Sequence, residues 1–271
     1  MDWFIQLNPI AKAGLAGLFT WFCTAAGSSL VFFMKQINSK VLDAMNGFAA
    51  GVMMAASYWS LLAPAISHAE DMGYGQWSFV PALVGFVGGG FFLRLVDTLI
   101  PHLHFGMNRQ EAEGPKTSLS ATTLLFIAIT IHNIPEGLSV GVAFGSTAFD
   151  PSPAALASAL ALAMGIGLQN FPEGAALALP YRASGVSAKR AFNLGQASAL
   201  VEIVGAVIGA WLVNQVYVIL PYALAFAAGA MVFVCVEELI PSSQSNGNTD
   251  LATLSFIIGF AIMMTLDVAL G

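Results

Sequence analysis

Eight stretches of this chain are apolar over about 20 residues or more, near 10–34, 41–66, 78–98, 119–145, 154–181, 188–213, 216–239 and 251–270. A helix needs about 20 apolar residues to cross a bilayer core of about 30 Å. Without water to bond the backbone, only helices and closed barrels can cross. Runs of this length are too long for barrel strands, so the prediction is an all-α polytopic membrane protein with eight transmembrane helices. The second run shows how the limits are set. Met45 to Ala63 is apolar almost without interruption, and Pro64 is expected to end it.

Composition closes off the alternative of a soluble fold. Of 271 residues, 57% are hydrophobic and 9% are charged, whereas a soluble domain carries about 25% charged residues to clothe its surface. The net charge of −6 excludes nucleic acid as a partner, because no basic stripe is present to meet phosphates. Cys23 and Cys235 lie far apart in apolar runs and without CxxC spacing, so they read as small packing residues. The apolar run from Ala13 to Met34 exceeds the 7–15-residue core of a signal peptide, so it counts as the first span.

Loop charges orient the spans. Lys35, Lys40, Arg94, Arg109, Lys116, Arg182, Lys189 and Arg190 fall on one side, and Lys12 alone on the side of the termini. By the positive-inside rule both termini are expected on the extracytoplasmic face of a cell inner membrane. The loop at about 101–118 is then cytosolic and carries His102, His104, Glu111 and Glu113.

The two ends of the chain repeat one another. Phe48-Ala49-Ala50-Gly51 in the second span recurs as Phe226-Ala227-Ala228-Gly229 in the seventh, each followed by a proline, Pro64 or Pro241. The third and eighth spans end in Asp97 and Asp267, with Phe86/Phe256 and Gly89/Gly259 in matching register. Corresponding spans run in opposite directions. The pattern predicts an inverted repeat, spans 1–3 against spans 6–8 with spans 4–5 central, and a site near the midplane between the halves.

The fourth span contains His132-Asn133-Ile134-Pro135-Glu136-Gly137, and the fifth contains Gln169-Asn170-Phe171-Pro172-Glu173-Gly174. An ionisable residue inside a span costs about 2.5–3.5 kcal/mol on insertion scales, so it needs a partner or a function. His132 and Glu136 are four apart and share a helix face, as do Gln169 and Glu173. Asn133 and Asn170 stand one step round. Pro135 and Pro172 free the carbonyls of Ile131 and Leu168, making room for an ion. Gly137 and Gly174 let neighbouring backbones come close. Beyond Lys189 and Arg190 at its start, Glu202 is the one ionisable residue in the sixth span, read as a continuous apolar helix of some 25 residues, and a third carboxylate there can bridge two ions.

This mixed nitrogen and oxygen set, without thiolate, suits zinc, iron(II), manganese or cadmium. Met53, in the second span, reads from composition as packing. Two rival readings use the same residues. An intramembrane metalloenzyme needs an activated water and a substrate route, but no HExxH motif or nucleophile–base pair appears. A proton-coupled solute carrier would use Glu136, Glu173 and Glu202 as a relay.

The paired HNxPEG and QNxPEG hexapeptides, the sixth-span Glu and the eight-span layout resemble the ZIP (zinc–iron permease) metal transporters, in particular their prokaryotic GufA-type branch. The resemblance covers nearly the whole chain as a single transmembrane transporter domain, 1–271. It implies a non-enzymatic carrier that takes Zn2+, or Cd2+, Fe2+ or Mn2+, into the cytosol by alternating access, as a homodimer in the lipid bilayer. Zn2+ is substrate, and no organic cofactor is expected. It implies a two-metal midmembrane site at His132, Asn133, Glu136, Gln169, Asn170, Glu173 and Glu202, with Met53 as an additional ligand. Some relatives have Asp where Asn170 stands, and a neutral amide weakens binding of a second ion. His102 and His104 match the family's His-bearing loop and suggest an exit path, with Glu237 and Glu238 able to receive the leaving ion. Spans one, four, five and six are expected to slide as a unit against the rest.

Overall fold

The computed structural model describes residues 2–103, 110 and 112–270. Among the described residues, eight helices are long and apolar enough to cross a membrane: α1 Pro9–Phe32, α2 Ser39–Asp71, α3 Gly75–Leu99, α4 Ala121–Ser146, α5 Pro153–Ala183, α6 Ala188–Gln215, α7 Tyr217–Gln244 and α8 Thr249–Leu270. A short helix, Asp2–Ile5, precedes them. Among the described residues the extended pairing is confined to one bridge between His102 and Glu113. The protein is thus an all-α, multi-pass membrane protein. His104, Arg109 and Glu111 lie outside the described residues.

Several helices begin at a polar side chain that satisfies an otherwise unpaired backbone N–H. Asn8 accepts from the Ala11 N–H at 2.8 Å, Ser120 from Thr123 at 3.2 Å, and Ser152 from Ala155 at 3.1 Å. Ser187 does the same for Arg190 at the start of α6, at 3.4 Å.

Two spans differ from the sequence expectation. Pro64 does not end α2. The chain passes through a π-helical turn, Ser57–Leu62, and resumes as α-helix over Ala63–Asp71 with the proline in its first turn. Proline is tolerated there because the widened turn before it makes room for the ring against the preceding carbonyls. The same device occurs in α7, where a π turn at Cys235–Leu239 precedes a helix resuming at Ile240 with Pro241 in its first turn. The sixth span is not continuous either. It consists of Ala188–Ser198 and Leu200–Gln215, interrupted at Ala199, so Glu202 sits in the first turn of the second piece. Pro135 and Pro172 lie inside the unbroken helices α4 and α5.

Lipid tails are as apolar as leucine, so helices pair in membranes where small residues allow close contact. α2 packs most extensively on α8, α3 on α7, α4 on α6, and α1 on both α5 and α6. The closest approaches fall at glycines. A methyl group on Gly51 would strike the Phe256 carbonyl, and one on Gly229 the Phe86 carbonyl. Gly259 meets the Phe48 carbonyl, and Gly89 meets that of Phe226. The α2–α8 and α3–α7 pairs therefore use corresponding glycines and phenylalanines.

Asp97 and Asp267, the acids near the ends of α3 and α8, are both buried. Asp267 accepts from Ser60 Oγ at 2.7 and 2.9 Å. Asp97 lies 3.8 Å from His102 Nε2, and His102 Nδ1 is 2.9 Å from the Ile100 carbonyl.

Candidate metal site

The motif residues stand near the middle of their helices, so the same stretch of bundle interior holds them all. His132, Asn133 and Glu136 are buried on α4, Gln169 and Asn170 on α5, and Glu202 on α6. Glu173 on α5 is partly exposed. Glu136, Glu173 and Glu202 lie within electrostatic reach of one another, and Glu173 within reach of Glu238.

Two amide–carboxylate pairs organise the cluster. Gln169 Nε2 donates to Glu136 Oε1 at 2.7 Å, joining α5 to α4. Asn170 Nδ2 donates to Glu202 Oε1 at 3.0 Å and Oε2 at 2.8 Å, joining α5 to α6. The same Nδ2 lies 3.3 Å from the Thr20 carbonyl of α1. Each pair leaves an acceptor behind. Glu136 Oε2, Gln169 Oε1 and Asn170 Oδ1 are buried without a hydrogen-bond partner, as are both amide atoms of Asn133. A buried acceptor with no donor forfeits its hydration without return, so such groups are rare unless a ligand meets them. Among the described residues, no three His, Cys, Asp or Glu side chains converge closely enough to hold an ion by themselves. Most of the unpartnered oxygens beside the carboxylates belong to amides.

Glycines set the backbone spacing behind the cluster. A methyl group on Gly137 would stand 2.5 Å from the Glu202 Cα and carbonyl oxygen. Gly174 meets the Thr24 carbonyl in the same way, and Ser28 Oγ donates to the Gly174 carbonyl at 3.1 Å. Thr20 and Thr24 of α1 therefore stand in the wall of the cluster, outside the paired hexapeptides. A signal for them exists in the sequence: Thr20, Thr24 and Ser28 recur every four residues in an apolar span, and all three are buried.

Met53 is buried in the main apolar cluster, which also contains Ile131 of α4. Glu238 is buried in the π turn of α7, with Ser242 Oγ 3.4 Å from its Oε1. A cavity of about 480 Å³ opens at the end of the bundle that carries the termini, lined by Ser60, His68, Asp71, Asp150 and Asp267 among others. Ala143 also lines it, two helical turns or about 10 Å along α4 from Glu136.

Eight helices long and apolar enough to cross a membrane, with polar side chains near the middle of three of them and one carboxylate at a helix break, are the arrangement expected of a membrane transporter. The ZIP Zinc transporter family profile matches residues 108–267. The chain is 41% identical to Zinc transporter ZIP11 of Xenopus tropicalis, over 97% of this chain and 98% of that protein. It is 36% identical to Zinc transporter GufA of Myxococcus xanthus, over 96% and 99%. Zinc transporter ZIPB of Bordetella bronchiseptica is 35% identical, over 97% and 82%. The chain belongs to the ZIP zinc transporter family.

Proposed function

We propose that this protein carries Zn2+ into the cytosol through the cluster of His132, Asn133, Glu136, Gln169, Asn170, Glu173 and Glu202, with Cd2+, Fe2+ and Mn2+ as related substrates. The observation that carries the reading is the set of buried oxygen acceptors without donors at mid-depth, on Glu136, Gln169, Asn170 and Asn133. Acceptors gathered without donors suit a cation, and imidazole with oxygen ligands suits zinc. The names of the relatives, all zinc transporters, support the same substrate.

The excess of Lys and Arg on the loops away from the termini supports an inner-membrane orientation with both termini outside and inward delivery of the ion. The approach is the cavity lined by His68, Asp71 and Asp150, and release passes Glu238 towards the His102 loop. Met53 serves as an additional, softer ligand from α2. Alternating access is supported by the packing: α1, α4, α5 and α6 hold to one another, while α2 pairs with α8 and α3 with α7. The matched glycine contacts of those two pairs support an inverted repeat. Lipid and a second copy of the chain are the partners of α3 and α8, the least buried spans.

The test is metal flux into liposomes holding the purified protein, comparing Zn2+, Cd2+, Fe2+ and Mn2+. Saturable Zn2+ flux that Glu136→Ala abolishes in correctly inserted protein is the expected result. Equal flux with and without Glu136 would remove the site from the transport path.

A further inference from the structure

We infer that the midmembrane site holds a single ion, because the Asn170 amide already occupies the seat a second ion would take on Glu202. The inference rests on the transport reading above and specifies its stoichiometry. Glu202 is fully buried, and both of its oxygens accept from one donor atom, Asn170 Nδ2, at 3.0 and 2.8 Å. An N–H donor placed between two carboxylate oxygens stands where a chelated cation stands and presents the same sign of charge. The Thr20 carbonyl, 3.3 Å from that nitrogen, is a further acceptor for it.

Those three acceptors fix which way round the amide sits. Turning Asn170 over would place its Oδ1 against the Glu202 carboxylate and the Thr20 carbonyl. With Glu202 ionised, as a cation-binding carboxylate must be, three acceptors would then face one another in the bundle interior without a hydrogen between them, an arrangement a low-dielectric setting penalises. The amide therefore keeps its nitrogen on Glu202 and leaves Oδ1 without a donor.

The remaining unpartnered acceptors stand on α4 and α5. Glu136 Oε2, Gln169 Oε1, Asn133 Oδ1 and Asn170 Oδ1 are all buried and lack donors, and His132 lies one turn from Glu136 on α4. This set offers one carboxylate and several neutral oxygens, which matches one divalent ion. Glu136, Glu173 and Glu202 together carry too little negative charge to neutralise two. An acid at 170 would lose both hydrogens and add a charge beside Glu202, which converts the seat into a second cation site.

The experiment counts bound metal. Purified protein in detergent is dialysed to equilibrium against Zn2+, and bound zinc is measured per chain by elemental mass spectrometry. A control chain carrying Glu136→Ala and Glu202→Ala together subtracts any zinc held by the loops. The expected difference is one zinc for the wild type and two for Asn170→Asp. A wild-type difference of two overturns the inference while leaving the transport site standing. An Asn170→Asp protein that is monodisperse, with unchanged helical circular dichroism, yet stays at one zinc overturns it as well. A wild-type difference of zero removes the transport site, and the stoichiometry falls with it.

Discussion

Gln169 Nε2 lies 2.7 Å from Glu136 Oε1, so the first residue of one hexapeptide is hydrogen-bonded to the acid of the other. The duplicated motif is thus joined crosswise between α4 and α5. Gln169 fixes the rotamer of Glu136 and leaves its second oxygen available. Removing a group that orients a metal ligand typically costs about 10–100-fold in affinity or activity. Gln169→Ala is expected to raise the KM for Zn2+ uptake by that order in liposome flux. An unchanged KM in inserted protein would show that Glu136 does not depend on the amide.

Gly137 is the spacer between α4 and the backbone at Glu202. A side chain there meets the Glu202 main chain at 2.5 Å, and main chain cannot swing away as a flexible side chain can. Overpacking of this kind costs about 1–3 kcal/mol. Gly137→Val is expected to lower the melting temperature in detergent and to abolish Zn2+ flux by displacing the carboxylate. Normal melting and normal flux together would contradict the packing.

The Ser60–Asp267 contact ties the π turn of α2 to the end of α8. Ser60→Ala leaves a buried carboxylate without that donor, at about 1–3 kcal/mol. The melting temperature should fall. In the double variant Ser60→Ala/Asp267→Asn the two effects should not add, since both remove one interaction. Strict additivity in the double-mutant cycle would mean that the contact contributes nothing.

Bound substrate should stabilise the folded chain. A ligand at 100 times its Kd adds about 2.7 kcal/mol of stability. Zinc is therefore expected to raise the melting temperature of the wild type, reversibly on addition of a chelator, and to have much less effect on Glu136→Ala. An equal rise in both proteins would place the responsible zinc elsewhere.

Much of this fold could be read from run length, because the bilayer demands about 20 apolar residues per crossing and the chain supplies eight such runs. The candidate site is legible for a related reason: a polar residue inside a span stands out, as His132, Glu136, Glu173 and Glu202 do. Local irregularity was less visible. Ala199 and Leu200 are good helix formers, so propensity gave no hint of the break before Glu202. Pro64 read as a stop because the sequence does not show whether the turn before a proline widens to receive it. Thr20 contributes a backbone carbonyl, and a carbonyl has no signature in the identity of the residue that bears it.

The widened turns at Ser57–Leu62 and Cys235–Leu239 carry a consequence for comparing this chain with others. A π turn bonds each residue five positions along the chain, so it stores one residue more than an α turn. A deletion of a single residue in either segment would return the turn to α geometry and leave the helix on both sides in phase. In α2 it would keep His68 and Asp71 on the cavity they line, whereas the same deletion elsewhere in the helix would rotate them by about 100° round the axis. A one-residue gap at this point in an alignment therefore records a lost bulge rather than a rotated helix end.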